Sequence, residues 1–98
     1  MDKLQEYKKF VQKALFKDFS TEYYLIALGG ETGELMNEYK KSIRSDNGII
    51  TETRKKAITK ELGDILFYYF AFIDKLNIPI EKIILENQNK INNRRNNK

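Results

Sequence analysis

The chain has 98 residues, 41% apolar and 33% charged, which fits one soluble globular domain and excludes a disordered chain. It has no Cys and no His, so disulfides, Cys/His zinc sites and imidazole acid–base chemistry are excluded, and any bound metal must be a hard cation on carboxylate oxygens. The net charge of +4 is local: residues 87–98 hold Lys90, Arg94, Arg95 and Lys98 and no acid, and the remainder is balanced.

Four helices are expected, with no alternation long enough for a sheet. The first runs from Asp2 to Lys17, with Leu4, Tyr7, Val11, Ala14 and Leu15 at helical spacing. Asp18-Phe19-Ser20-Thr21 breaks it and offers N-caps to the second, Thr21 to Arg44. Leu25, Leu28, Leu35 and Tyr39 are its expected apolar stripe. Gly29, Gly30 and Gly33 lie inside it, each costing up to about 1 kcal/mol against Ala, so close approach of another helix or of a ligand is expected there.

Ser45-Asp46-Asn47-Gly48 is a turn signal. The third helix starts near Thr51 or Thr53 and runs to about Leu76. Its stretch Ile65 to Ile73 is apolar or aromatic at every position. Such a helix must be covered on all sides, which predicts a homo-oligomer, dimer or tetramer, with a bundle shared between protomers. The run is about half the length of a membrane span, and the charged N-terminus has no apolar core, so the reading is cytoplasmic with no membrane partner. Asn77-Ile78-Pro79 breaks the chain before a fourth helix, Pro79 to Arg94, and residues 92–98 are expected to fray. Residues 1–98 thus read as one all-α domain.

Two acidic pairs carry the chemistry. Glu31 and Glu34 lie in the second helix, and Glu61 and Asp64 in the third. The i, i+3 spacing puts each pair on one face. Ala27, Leu28 and Leu35 flank the first pair, and Ala57, Ile58, Ile65 and Tyr68 the second, so the acids border apolar faces. A carboxylate facing a core is costly unless paired or metal-bound, and four together repel each other. One or two divalent cations relieve both problems, and an all-oxygen site suits Mg²⁺ or Mn²⁺. Metal-held phosphate chemistry needs no protein nucleophile.

Gly30-Glu31-Thr32-Gly33-Glu34-Leu35 and Glu61-Leu62-Gly63-Asp64-Ile65-Leu66 resemble the ExxE…ExxD signature of the all-α nucleotide pyrophosphohydrolases, MazG-like branch. Asn87 to Arg94 resembles that family's closing N-x-x-K-[apolar]-x-x-R element. The resemblance covers roughly residues 23–94. It implies hydrolysis of a ribo- or deoxyribonucleoside triphosphate between the α and β phosphates, giving monophosphate and pyrophosphate. It implies Glu31, Glu34, Glu61 and Asp64 as metal ligands and catalytic acids, and Lys90 and Arg94 as phosphate contacts, with Asn87 beside them. Many relatives have two adjacent Glu at the first motif, whereas Gly30 precedes Glu31 here, so the number of metals stays open. Glu38, one turn after Glu34, reads as a solvated surface acid before it reads as an extra ligand. Tyr68 and Phe72 read as core first and as base-stacking groups second.

Two other readings compete: a hydrolase of modified or alarmone nucleotides, and a non-catalytic helical oligomer that binds nucleic acid through its basic tail. The tail is short and lacks interleaved aromatics, which argues against nucleic acid.

Overall fold

A computed structural model describes residues 2–15 and 17–96. Met1, Phe16, Asn97 and Lys98 lie outside the described residues, and with them the end of the expected fraying tail. All the regular structure among the described residues is helical: α1 (Lys3–Ala14), α2 (Thr21–Ser45), α3 (Glu52–Lys75) and α4 (Ile80–Asn96).

The helix starts follow from capping side chains. Asp2 accepts from the Leu4 amide at 3.2 Å, Ser20 from Tyr23 at 3.2 Å, and Thr51 from Arg54 at 3.1 Å, each satisfying an amide with no partner inside its helix. α1 ends three residues before the expected Lys17 because Leu15 is extended. The next segment is tied instead to a phenol: the Tyr24 hydroxyl donates to the Lys17 carbonyl at 3.3 Å and accepts from the Phe19 amide at 3.2 Å. α2 ends where Asn47 and Gly48 take positive φ, with the Ser42 carbonyl accepting from the Asp46 and Gly48 amides. Asn77 takes the same conformation after α3, and Ile78 bonds back to the Ile73 carbonyl. α4 continues two residues beyond the expected Arg94.

α2 and α3 form an antiparallel hairpin across the loop 46–51. An ionic layer pins its register. Arg54 donates through Nε to Asp46 at 2.9 Å and through Nη1 to Glu38 at 2.8 Å, while Lys41 donates to the second Glu38 oxygen at 3.2 Å. These bonds hold the Glu38 carboxyl below the usual carboxylate range, Arg54 acting more strongly than Lys41, and Asp46 and Glu38 push the Arg54 guanidinium up. Glu38 is therefore a cross-helix partner, neither a solvated acid nor a spare ligand.

α1 packs on the far half of α3. Tyr7 meets Phe70 edge-on at 5.1 Å, and Gln12 donates to Asp74 at 2.8 Å. The core is Val11, Tyr24, Phe70, Ala71, Ile73 and Ile80, drawn from all four helices. Within the apolar run 65–73, Phe70, Ala71 and Ile73 are buried inside one chain, Leu66 is 45% exposed and the other five are half-buried. The expected α2 stripe also differs: Leu28 and Leu35 are half-buried, whereas Leu25 and Tyr39 are exposed. Leu35 and Tyr39 of that stripe join Met36, Ile43, Ile58 and Leu62 in lining an open apolar groove. The α2 glycines are not closely approached within the chain, since a Cβ at Gly29, Gly30 or Gly33 meets nothing within 4 Å.

No described helix is long and apolar enough to cross a membrane. The radius of gyration, 16.5 Å, exceeds the roughly 13 Å of a compact domain of this length, because α4 stands off the hairpin. Phe70 is 3% exposed at the centre of the core. Phe70→Ala should cost about 3–5 kcal/mol, measured as a lower urea midpoint with cooperative unfolding retained.

Candidate metal centre

The register that joins Arg54 to Glu38 also sets what lies two turns farther from the loop. Seven residues from Glu38 along α2 is Glu31, and seven from Arg54 along α3 is Glu61. Both steps bring the chain round to the same face, about 10 Å along the axis. Asp64 is one turn beyond Glu61. The hairpin thus puts Glu31 against Glu61 and Asp64, and one oxygen from each of the three lies within 4.8 Å of the others. Glu31 and Glu61 are half-buried and Asp64 is exposed at the mouth.

The charges acting on the Glu31 carboxyl are all negative, unlike those of the Arg54 layer. The Glu31 carboxyl is pushed above its ordinary value, first by burial and then by the negative charges of Asp64, Glu61 and Glu34. Glu34 acts on Glu31 electrostatically but stands outside the three-oxygen cluster, exposed one turn nearer the loop. Of the four acids expected from the sequence, three therefore converge and one borders them. Asn87, Lys90 and Arg94 are all exposed on α4. Among the described residues Lys90 and Arg94 form no ion pair, and they do not figure among the charges acting on Glu31.

Aromatic hydroxyls border the acids, a feature that spacing alone did not single out. Burial, then Tyr23, Glu31 and Asp64, push the Tyr68 phenol up, and burial, then Asp64, does so for Tyr7. Tyr68 is half-buried, at the edge of the core and not within it. It also lines a cavity of about 130 Å³ with Phe19, Tyr23, Tyr24, Phe67 and Lys17. Phe19 stacks on Tyr23 with centroids 4.0 Å apart, and the Lys17 ammonium lies 5.3 Å from the Phe19 ring. The i, i+4 step from Asp64 to Tyr68 is the one sequence signal for this wall. Tyr7, Lys17 and Tyr23 gave none, because the fold brings them in from other elements.

Residues 19–98 match the family model of the MazG nucleotide pyrophosphohydrolase domain. The chain belongs to this family. It is also similar to the Gene 37 protein of Mycobacterium phage L5, with 32% identity over 73 residues that cover 74% of this chain and 64% of the phage protein. The chain therefore spans less than two thirds of that relative's length. No solved structure matches it. The MazG match begins at Phe19, so α1 lies outside it while all three clustered carboxylates lie inside.

The donor set of this MazG domain fits a divalent cation: three carboxylates, no Cys or His in the chain, and a half-buried Glu31 whose negative charge is opposed by its neighbours. The same opposition gives a pH dependence. Because the folded-state pKa of Glu31 is raised, its favourable contribution to folding is complete below the ordinary carboxylate range and is lost as pH rises through the raised value. Glu31→Gln should therefore raise the melting temperature of metal-free protein at neutral pH. The gain should shrink toward about pH 4, where the wild-type carboxyl is protonated as well. Calorimetry in a chelator across pH checks both, and saturating Mg²⁺ should reverse the order by stabilising only the wild type.

Proposed function

We propose that the chain is a Mg²⁺-dependent hydrolase that cleaves nucleoside or deoxynucleoside triphosphates between the α and β phosphates. The observation that carries this reading is the convergence of Glu31, Glu61 and Asp64 inside a MazG domain. Those three would hold the ion, and Mn²⁺ suits the same oxygens. When bound, the ion supplies Lewis-acid polarisation of the phosphoryl group and a water of lowered pKa.

The remaining chemistry belongs to the chain. Glu34, exposed and outside the three-oxygen cluster, is free to accept a hydrogen bond from the attacking water and to orient it. The water oxygen bonds to the α phosphorus, the bond from that phosphorus to the bridging oxygen breaks, and pyrophosphate leaves as one unit. The proton released passes to a carboxylate and then to solvent. Lys90 and Arg94 would hold the phosphates, Arg94 by its two-pronged guanidinium and Lys90 as a point charge, with Asn87 one turn earlier on that face. The aromatic wall of Tyr68 and Phe67 suits the apolar remainder of a nucleotide.

A panel of nucleoside and deoxynucleoside triphosphates with Mg²⁺, read separately for pyrophosphate and orthophosphate, tests the reaction. Monophosphate and pyrophosphate are the expected products, with no diphosphate. Orthophosphate plus diphosphate as first products would refute cleavage at the α phosphorus. Glu61→Gln should lower kcat by more than about 100-fold, the upper range for loss of an outer-shell metal partner.

A further inference from the structure

The aromatic cavity begins one helix turn from the acids. Phe67 and Tyr68 of α3 line it, three and four residues past Asp64, about 5 Å farther along the same face. Tyr23 and Tyr24, at the start of α2, and the segment between α1 and α2 supply its other walls. Burial raises the Tyr68 phenol first, and then Tyr23, Glu31, Asp64 and Tyr24 do so, which sets this hydroxyl between the cavity and the carboxylates. The cavity measures about 130 Å³. An apolar cavity of about 150 Å³ holds one benzene ring. The space therefore admits a single six-membered ring and is too small for a fused bicyclic one.

The polar groups around it are mostly donors. No carboxylate and no side-chain amide lines it. The Tyr24 hydroxyl is already engaged, donating to the Lys17 carbonyl and accepting from the Phe19 amide. Those two bonds fix the segment that carries Lys17, whose ammonium stands 5.3 Å from the centre of the Phe19 ring. Among the described residues this ammonium takes part in no ion pair. It has three hydrogens to donate and no lone pair to accept with. A ring whose edge carries a carbonyl oxygen satisfies it, and a ring that presents an amino group there does not. Thymine offers the O4 carbonyl, as does uracil without the methyl group, whereas cytosine and adenine present amino groups at the corresponding edge.

We propose that this cavity receives the base of the substrate, that it selects a keto pyrimidine, uracil or thymine, and that Lys17 sets the choice by donating to the O4 carbonyl. The aromatic walls hold the flat ring by stacking, and the sugar passes Tyr68 so that the phosphates reach the carboxylates. Leu15 and Lys17 precede Phe19, where the MazG match begins, so this part of the wall lies outside the matched span. The substrate's phosphates rest on the pyrophosphohydrolase reading; the choice of base does not.

Pyrophosphate release from dUTP, dTTP, dCTP, dATP and dGTP with Mg²⁺ tests the choice. kcat/KM should be at least about tenfold higher for the uracil and thymine substrates than for the others, the effect of one hydrogen bond to a charged group. Lys17→Met keeps the stem and drops the charge. It should bring the uracil and thymine values down to that of cytosine and leave the cytosine value unchanged, while Lys17→Arg should retain the preference. A wild type without the preference, or an equal loss on every base in Lys17→Met, overturns the proposal and leaves the reaction standing.

A second arm needs no activity. In calorimetric titrations with Mg²⁺ present, dUMP and dTMP should bind at least about tenfold more tightly than dCMP, dAMP and dGMP, and Lys17→Met should abolish the difference. Equal affinities, or binding of none, overturn the pocket. Selective binding beside a wild type that is inactive on every triphosphate supports the pocket and counts against the hydrolase.

Discussion

Two long helices joined by a short loop slide past each other unless something fixes their offset, and here Arg54 does so. One guanidinium reaches Glu38 across the hairpin and Asp46 at the end of α2. All three side chains are less than one-fifth exposed, so the bonds are shielded from competing water better than surface pairs are. A slip of one residue would turn Glu31 away from Glu61 and Asp64 by about 100°. The convergence of the three carboxylates thus rests on an ion layer two turns away.

The two layers set opposite electrostatics side by side in one seam. In the first, Glu38 has both oxygens occupied by cations of the chain, and its carboxyl sits below the ordinary range. In the second, Glu31 meets only like charges and its carboxyl sits above it. The residue type, the helix and the face are the same. The difference is that the chain supplies counter-charge to one layer, whereas the charges acting on Glu31 in the other are all negative.

Much of this was legible from local signals. The caps Asp2, Ser20 and Thr51 mark helix starts, and the acidic pairs announce themselves by their i, i+3 spacing beside apolar positions. What could not be read depends on contacts far apart in the chain. Arg54 and Glu38 look like ordinary surface charges until the hairpin closes. Tyr24 looks like one more aromatic, yet its hydroxyl organises the segment after α1. The run 65–73 promised an interface between copies because three short helices seemed too few to cover it. Within one chain Phe70, Ala71 and Ile73 are buried, Leu66 is exposed and the other five residues of the run are half-buried, so α1 and Ile80 cover part of it. The direction in which α4 leaves α3 is set by one residue with positive φ, and helical periodicity is silent about such angles.

The boundary of family likeness and the boundary of folding do not coincide. The matched span starts at Phe19, after α1 has ended. Yet Val11 of α1 is 1% exposed, and Tyr7 covers one edge of Phe70. A fragment trimmed to the matched span would keep every clustered carboxylate and lose the lid of its own core. Such a fragment would be sticky and prone to aggregate, and an assay on it would report the loss of α1, not the competence of the acids. In this chain the part that matches the family holds the clustered carboxylates, and the part outside it covers their core.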